Sequence, residues 1–394
     1  MTLSDQWGWH ERMGWKEDRT ALADLGELAE QRYRLGFENT QEGKTQYFER
    51  LRTFAAHLPS DKSPHLSASI EAHLPPFMKP TYLSPADSSF RPPAMISYKK
   101  IHQTDKKDNH QKATEEWIGM NEVDGWKLNF LDDDRASAWV EEQFRDSDVS
   151  WAWQYMHRGV LRADFLRYLL PLLEGGVYSD VDTTPLRPIE QWGRVNVENL
   201  DISNTDGPDW EASISTFPSV VVAVDVDVHK HPTWMDGWPR PLGICQWTLS
   251  SAPYHPIFID AARRVVNATR VIESWETWRS HEISRLESTQ TPDDWQERVS
   301  KLRDMGCSNV MSVMEWTGPG LFSDSVLSYL LARYDVSWHR LRGLNHPLRI
   351  GDVMILPITA FSPGGQPDFG AEGTDSVQAN VVHNFRGSWK GDGA

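Results

Sequence analysis

The spacing of apolar residues changes character along the chain and divides it into stretches of different expected structure. Over residues 1–57, "LADLGELAEQRYRLGF" and "TQYFERLRTFAAHL" set apolar residues at helical spacing among charges, which predicts surface helices. Residues 58–94 lose that spacing: "PSDKSP", "LPPFMKP" and "SPADSSFRPP" are rich in proline and serine and predict an extended linker or stem. From Met95 the pattern alternates. "MISYKKIHQT" predicts a short strand and "KATEEWIGMN" a helix. "GWKLNFLDDD" puts Trp126, Leu128 and Phe130 on one strand face, and "RASAWVEEQF" returns to helix. Strands alternating with helices predict a layered α/β domain with a mainly parallel central sheet over residues 95–394, preceded by an N-terminal helical and stem region over 1–94. No internal repeat is visible.

The strongest helix is "RGVLRADFLRYLLPLLEGG", where Leu161, Phe165, Leu169 and Leu172 or Leu173 form an apolar stripe. Pro171 removes a backbone donor near its end, and Gly175 and Gly176 supply the stop. "VYSDVD" follows as a strand with alternating faces, so Tyr178, Asp180 and Asp182 are expected on one side at its end. The carboxyl-terminal edge of such a sheet is where ligands bind. Two hard oxygen donors there suit Mg²⁺ or Mn²⁺. A bare Asp-x-Asp is also a common polar strand end.

Composition narrows the functions available. The chain has 394 residues, 39% of them hydrophobic, and a formal net charge of −16. That acidity disfavours nucleic acid as a partner, because affinity for phosphate backbones comes from cationic contacts. Cys245 and Cys307 are the only cysteines, enough for one bridge or two free thiols and too few for a disulfide scaffold. One sequon is present, Asn267-Ala268-Thr269. No segment approaches the ~18 apolar residues that span a bilayer, and the first 30 residues lack a signal-peptide core. The expectation is a soluble chain, with any membrane anchor outside it. Nineteen tryptophans are many for this length; core packing and the lining of a carbohydrate site are both open.

The surroundings of the aspartate pair carry more information than the pair. The string "RADFLRYLLPLLEGGVYSDVDTTPLRPI" resembles the signature of glycosyltransferase family thirty-two, in which an Arg-x-Asp helix leads through Glu-Gly-Gly-x-Tyr into Asp-x-Asp. "IHQTDK" at 101–106 resembles the family's opening "IHQTWK", with Asp105 where the family usually has Trp. "CQWTLSSAPYHPIF", "VMEWTGPGLFSDSV", "GDVMILPITAFSPG" and "VVHNFRGSWKG" resemble segments of one branch, the fungal initiation-specific α-1,6-mannosyltransferases. The matches run in order over residues 98–391, and none covers residues 1–94.

The resemblance implies a GT-A fold, a Rossmann-like α/β domain binding a nucleotide sugar and a divalent ion. It implies Asp180 and Asp182 as metal and diphosphate ligands, with His383 of "VVHNF" completing the shell. Asp164 and Arg162 would face the donor sugar, with Arg167 beside them; a helix-surface salt bridge from Asp164 to Arg167 is the alternative. Tyr178 would stack on the base or pack under the metal. His102, Gln103 and Thr104 would line the donor site, His102 being equally readable as a core histidine. Ser388, Trp389 and Lys390 would close over the diphosphate. Glu315, Trp316 and Thr317 of "EWTGPG", with Gln246 and Trp247 of "CQWT", are further site candidates, whereas Asp324 reads as a helix cap.

The reaction implied is retaining, metal-dependent transfer of mannose from GDP-mannose in α-1,6 linkage onto an N-glycan core mannose. Mn²⁺ or Mg²⁺ would be the cofactor, and the Golgi lumen the compartment. Asp164 and Glu315 are the candidate nucleophiles for a double displacement; a front-face route needs none and is preferred. A relative using UDP-galactose or a sphingolipid acceptor, an inactive sugar-binding module, and a metal-dependent phosphohydrolase are the competing readings. The last would call for a denser His and Asp cluster than the sequence shows.

Overall fold

Residues 31–79, 93–107, 112–200, 217–228, 237–365 and 369–385 are described in a computed structural model. The strands are β1 (Lys100–Thr104), β2 (Lys127–Leu131), β3 (Gly176–Ser179), β4 (Thr183–Pro185), β5 (Glu198–Asn199), β6 (Val220–Asp227), β7 (Leu242–Ile244), β8 (Thr248–Ser251), β9 (Leu348–Ile350), β10 (Val353–Leu356) and β11 (Val381–His383). The helices used below are α1 (Gln41–Ala56), α2 (Ser63–Ala72), α3 (Lys112–Asn121), α4 (Asp133–Phe144), α5 (Asp148–Tyr155), α6 (Gly159–Glu174), α7 (Pro256–Thr289), α8 (Trp295–Asp304), α9 (Val313–Trp316) and α10 (Pro319–Tyr334).

The central sheet runs β2-β1-β3-β8-β6-β10-β9-β5, with β7 on β6, while β11 and β4 form a separate ribbon. β1 pairs in parallel with β2 and β3, and β10 pairs in parallel with β6. β8 lies antiparallel between β3 and β6. Strands β2, β1, β3, β6 and β10 therefore all point one way, and their carboxyl ends share one edge. β6 reads "VVVAVDVD", a β-branched run buried on both faces as an inner strand requires. Val220, Val222 and Val224 face one core with α6, α7 and α10. Val221 and Ala223 face another, with Trp117, Trp192, Met354 and Phe361. This is the layered α/β domain the resemblance implies. Most described tryptophans pack in its cores.

Helix α6 buries Leu161, Phe165, Leu169 and Leu172, the expected stripe, and carries Pro171 near its end. The Gly175 N–H closes the last turn on Pro171 O at 3.1 Å. Gly175 and Gly176 have φ of +67° and +92°. A side chain at Gly176 would bring Cβ to 2.4 Å from Lys100 O, so only glycine lets α6 turn into β3 beside β1.

Two expectations are corrected. β3 stops at Ser179 rather than running through Asp182. Its partner β8 begins at Thr248, opposite Ser179, so the ladder ends there. A turn follows, closed by Thr183 N to Asp180 O at 3.0 Å. That turn, not strand alternation, gathers the two carboxylates. The linker expected over 58–94 contains α2, which opens with Pro64 and buries Leu66 and Ile70 one turn apart. Residues 80–92 lie outside the described residues. Residues 41–56 are helical as expected, but α1 is not merely a surface element: it buries Tyr47, Phe48, Leu51 and Phe54 in the core shared with α7 and α10.

Both cysteines are free. The sequon lies within α7, where Thr269 is fully buried and its hydroxyl is bonded to Val265 O and the Trp316 indole.

His102 is a structural tie. It is fully buried, with Nε2 2.8 Å from Gly175 O and Nδ1 3.0 Å from Asn129 Nδ2. The ring is thus the neutral tautomer that donates to Gly175 and accepts from Asn129, holding the α6–β3 turn. Burial pushes its pKa down to about 4. A folded pKa below the unfolded one means stability present above pH ~6.5 and lost as pH falls toward the folded value. Lowering pH from 7.5 to 5 should remove roughly 2 kcal/mol through this residue. Urea denaturation of the wild type and His102→Gln at both values checks it: the substitution should flatten the pH dependence.

Candidate active site

The carboxyl edge of β3 gathers the ionisable groups. Asp180 follows the strand, and its backbone N–H bonds to Trp247 O at 2.8 Å. Tyr178, buried below, donates its hydroxyl to Asp180 Oδ1 at 2.8 Å. Arg167 reaches from α6, with its guanidinium 2.9 Å from Asp164 Oδ1 and 3.3 Å from Asp180 Oδ1, over the Tyr178 ring. Asp164 also accepts from Thr317 Oγ1 at 2.9 Å. Burial lifts the Asp164 carboxyl to about 6, against the lowering pull of Arg167. Burial also raises Asp180, opposed by Arg167 and His383.

The β4–β11 ribbon brings in the third group. β11 pairs with β4 so that His383 lies opposite Thr183, immediately after the Asp180–Asp182 turn. His383 Nε2 is 3.3 Å from Asp182 Oδ1. Asn384 ties the ribbon to the turn through its backbone N–H and side chain, both on Asp182 O. One ligand-type atom each from Asp180, Asp182 and His383 lies within 4.8 Å of the others. Two carboxylates and an imidazole are a donor set for a hard or borderline divalent cation. The elevated Asp180 carboxyl is a further sign of fit, since a charge that burial disfavours gains from added positive charge. His383 Nδ1 accepts the Phe385 N–H at 3.1 Å, so ligation through Nε2 requires that exposed contact to give way.

The other candidates divide. Gln103 is fully buried, and neither amide atom has a hydrogen-bond partner among the described residues. Thr104 Oγ1 bonds to Leu131 O. His102 faces away, as described above. Arg162 lies over the Trp153 ring and donates to Trp153 O, rather than joining Asp164. Gln246 and Thr317 are joined to the Asp164 group by Tyr168, whose hydroxyl is 2.7 Å from both Gln246 Oε1 and Thr317 O. Trp247 packs against His383 with ring centroids 4.9 Å apart. Trp316 is buried and donates to Thr269.

Glu315 and Asp324 do not join the aspartate turn. Both carboxylates are gripped by the buried Arg240 guanidinium, at 2.8 and 2.9 Å for Glu315 and 2.8 and 2.7 Å for Asp324. Asp324, read as a cap, lies inside α10. Ser388, Trp389 and Lys390 lie outside the described residues. Sequence reasoning missed Tyr168 and Asn384. Tyr168 stands one helical turn beyond Asp164, and Asn384 directly follows His383; those spacings were the available signals.

Residues 99–198 match the family model described as "Glycosyltransferase sugar-binding region containing DXD motif". The chain is 35% identical over 278 residues to an initiation-specific alpha-1,6-mannosyltransferase of Schizosaccharomyces pombe, covering 68% of this chain and 59% of that protein. It is 30% identical over 260 residues to the protein of that name from Candida albicans, covering 62% and 58%. For the Saccharomyces cerevisiae protein of that name the figures are 26% over 356 residues, 70% and 73%. The chain thus spans about three fifths of the length of the first two relatives.

Arg240 pairs with two carboxylates deep beside α10, and removing one member of such a group strands buried charge. Arg240→Met should cost about 3–5 kcal/mol in chemical denaturation. Retention of wild-type stability would mean that the fork is not a structural clamp.

Proposed function

Because the chain belongs to the family of glycosyltransferase sugar-binding regions containing a DXD motif, we propose that it is a retaining, metal-dependent mannosyltransferase. Mannose moves from GDP-mannose in α-1,6 linkage onto a mannose of an N-glycan core. The observation that carries this reading is the meeting of Asp180, Asp182 and His383 beside the buried Asp164–Arg167 pair. The names of the relatives support the sugar and linkage. Action in the Golgi lumen belongs to the same proposal. Among the described residues no helix is long and apolar enough to cross a membrane.

Asp180, Asp182 and His383 would hold Mn²⁺ or Mg²⁺. When bound, the ion neutralises the diphosphate and stabilises the charge that develops as it leaves. Asp164 accepts hydroxyls of the donor sugar, and Arg167 keeps that carboxylate in place while lending its own positive charge to the site. Gln103, whose carboxamide has no hydrogen-bond partner among the described residues, hydrogen-bonds the nucleotide end of the donor. Tyr178 fixes the Asp180 carboxylate from below.

Retention by double displacement needs a carboxylate free to attack the anomeric carbon. Asp164 is bound by Arg167 and Thr317, and Glu315 is gripped by Arg240. Neither is poised as a nucleophile, which favours the front-face route. There the departing phosphate oxygen takes the proton of the attacking hydroxyl.

Purified protein should release GDP and form a mannosylated glycan only with Mn²⁺ or Mg²⁺ present. Preference for UDP-galactose would redirect the donor assignment, and nucleotide-sugar binding without turnover would leave a sugar-binding module. Asp180→Asn and Asp182→Asn should each lower transfer by roughly 100-fold or more. The melting temperature of Asp180→Asn should hold or rise, since burial disfavours that charge. His383→Ala should raise the half-saturating Mn²⁺ concentration at least about tenfold, read by metal titration of the thermal shift. An unchanged titration removes His383 from the shell.

A further inference from the structure

Asp225 is a carboxylate that the proposed function does not use. It stands near the end of β6, partly open to solvent at the same sheet edge as Asp180. Strand register fixes its place. Ser250 of β8 pairs with Val177 on one side and Val221 on the other. Asp225, four residues beyond Val221, therefore lies near the height of the Asp180–Asp182 turn, which starts three residues beyond Val177. Beside Asp225 the strand paired with β6 is β7, with a register shift between Val224 and Val226.

Its side chain projects from the face of Val221 and Ala223, opposite the face on which Tyr178 and α6 hold the Asp164–Arg167 pair. Its hydrogen bond among the described residues comes from Ser362 Oγ at 3.0 Å, and no cation pairs with it there. Burial pushes the carboxyl up to about 7, with Ser362 and His383 opposing. A rim carboxylate without a cation contributes nothing evident to the fold, unlike Glu315 and Asp324 on Arg240.

The His383 ring, whose charge acts on Asp225, is flanked by aromatic faces. The Phe385 ring is 60% exposed, 4.2 Å from the His383 ring and 5.6 Å from Trp247. Phe385 has φ +45°, a left-handed backbone unusual for an aromatic residue. The Trp247 indole N–H is buried and has no hydrogen-bond partner among the described residues. A carboxylate that takes paired hydroxyls, beside a flat ring that takes the apolar face of a pyranose, is the chemistry that recognises a neutral sugar.

We propose that Asp225, with Ser362 and the exposed face of Phe385, forms the acceptor subsite, taking the hydroxyls of a terminal hexose on a glycan. This rests on the transferase reading above. The donor sugar occupies the Asp164–Arg167 side and the acceptor the Asp225 side, with the Asp180–Asp182–His383 group between them.

The test measures mannosyl transfer with GDP-mannose, Mn²⁺ and a mannose-terminated oligosaccharide, fitting the KM of each substrate. Asp225→Asn should raise acceptor KM roughly 10- to 100-fold, and Phe385→Ala should raise it by a smaller factor. Donor KM and the thermal shift produced by GDP with Mn²⁺ should stay within about twofold and at wild-type size. Ser362→Ala keeps the carboxylate and should raise acceptor KM by only a few-fold. An unchanged acceptor KM in Asp225→Asn, or a loss of the GDP–Mn²⁺ shift in a variant that melts like wild type, overturns the subsite. If Asp225→Asn fails to fold, Phe385→Ala and Ser362→Ala decide: wild-type acceptor KM in both overturns it. Wild-type protein that binds GDP with Mn²⁺ but transfers no mannose defeats the functional reading instead.

Discussion

The site depends on one buried guanidinium. Arg167 is nearly inaccessible, yet it holds Asp164 from its own helix and Asp180 from the turn after β3. Taking three charged groups out of water is expensive, and only close geometry makes it tolerable. Desolvation would lower the Arg167 pKa, but Asp180 and Asp164 hold it above its ordinary value. The same charge prevents the two carboxyls from rising further. Arg167 therefore fixes the distance between the group assigned to the sugar and the group assigned to the diphosphate. Because α6 runs directly into β3, that distance follows from the length of one helix and the sharpness of one turn.

The turn is sharp because two glycines leave no side chains in the way, and His102 fastens its carbonyl from below. The placement of β8 extends the constraint. One antiparallel strand lies between β3 and β6, and these two same-direction strands end at a common edge. Asp180 and Asp225 consequently stand at one edge of the sheet. The β4–β11 ribbon then folds His383 onto the gap, and Asn384 secures it to the Asp182 carbonyl. Residues far apart in sequence meet because sheet register leaves them no other height.

Much of this was legible in the chain. Helix α6, its proline, its glycines and the strand after it follow from local periodicity and backbone chemistry. The grouping of His383 with the aspartates came from resemblance, since no spacing rule links residues two hundred apart. Helix α2 was hidden by flanking prolines, yet Leu66 and Ile70 lie at i, i+4, and Pro64 stands where a helix tolerates it. The end of β3 was illegible because it depends on where β8 starts. Glu315 looked available in sequence because Arg240, its partner, lies 75 positions away. His102 could be placed in the core only once Asn129 and Gly175 were seen to use both ring nitrogens.

A second group of metal-ligand type sharpens the meaning of the first. His73, His255 and Asp352 also bring ligand-type atoms within 4.8 Å of one another, and all three are buried. There His255 Nδ1 accepts the Ile257 N–H at 3.2 Å, in the first turn of α7. Its Nε2 must then carry the proton it donates to Asp352 Oδ2 at 2.9 Å. Tyr334 donates to the other carboxylate oxygen at 2.6 Å. Burial alone would raise the Asp352 carboxyl, but His255 and His73 hold it well below its ordinary range. That carboxylate is satisfied by protons, and His73 carries the end of α2 to it at 3.1 Å, docking the N-terminal helices onto the α/β domain. The Asp180 carboxyl shows the opposite trend, raised by burial despite its cationic neighbours. The imidazole contact that opposes ligation also differs in kind. The Ile257 N–H is locked into a buried helix start, whereas the Phe385 N–H on His383 belongs to an exposed residue beyond the end of β11. Three similar side chains therefore make a buried clasp at one place and, at the other, the group proposed to hold a cation, according to how firmly the imidazole is held by its backbone partner.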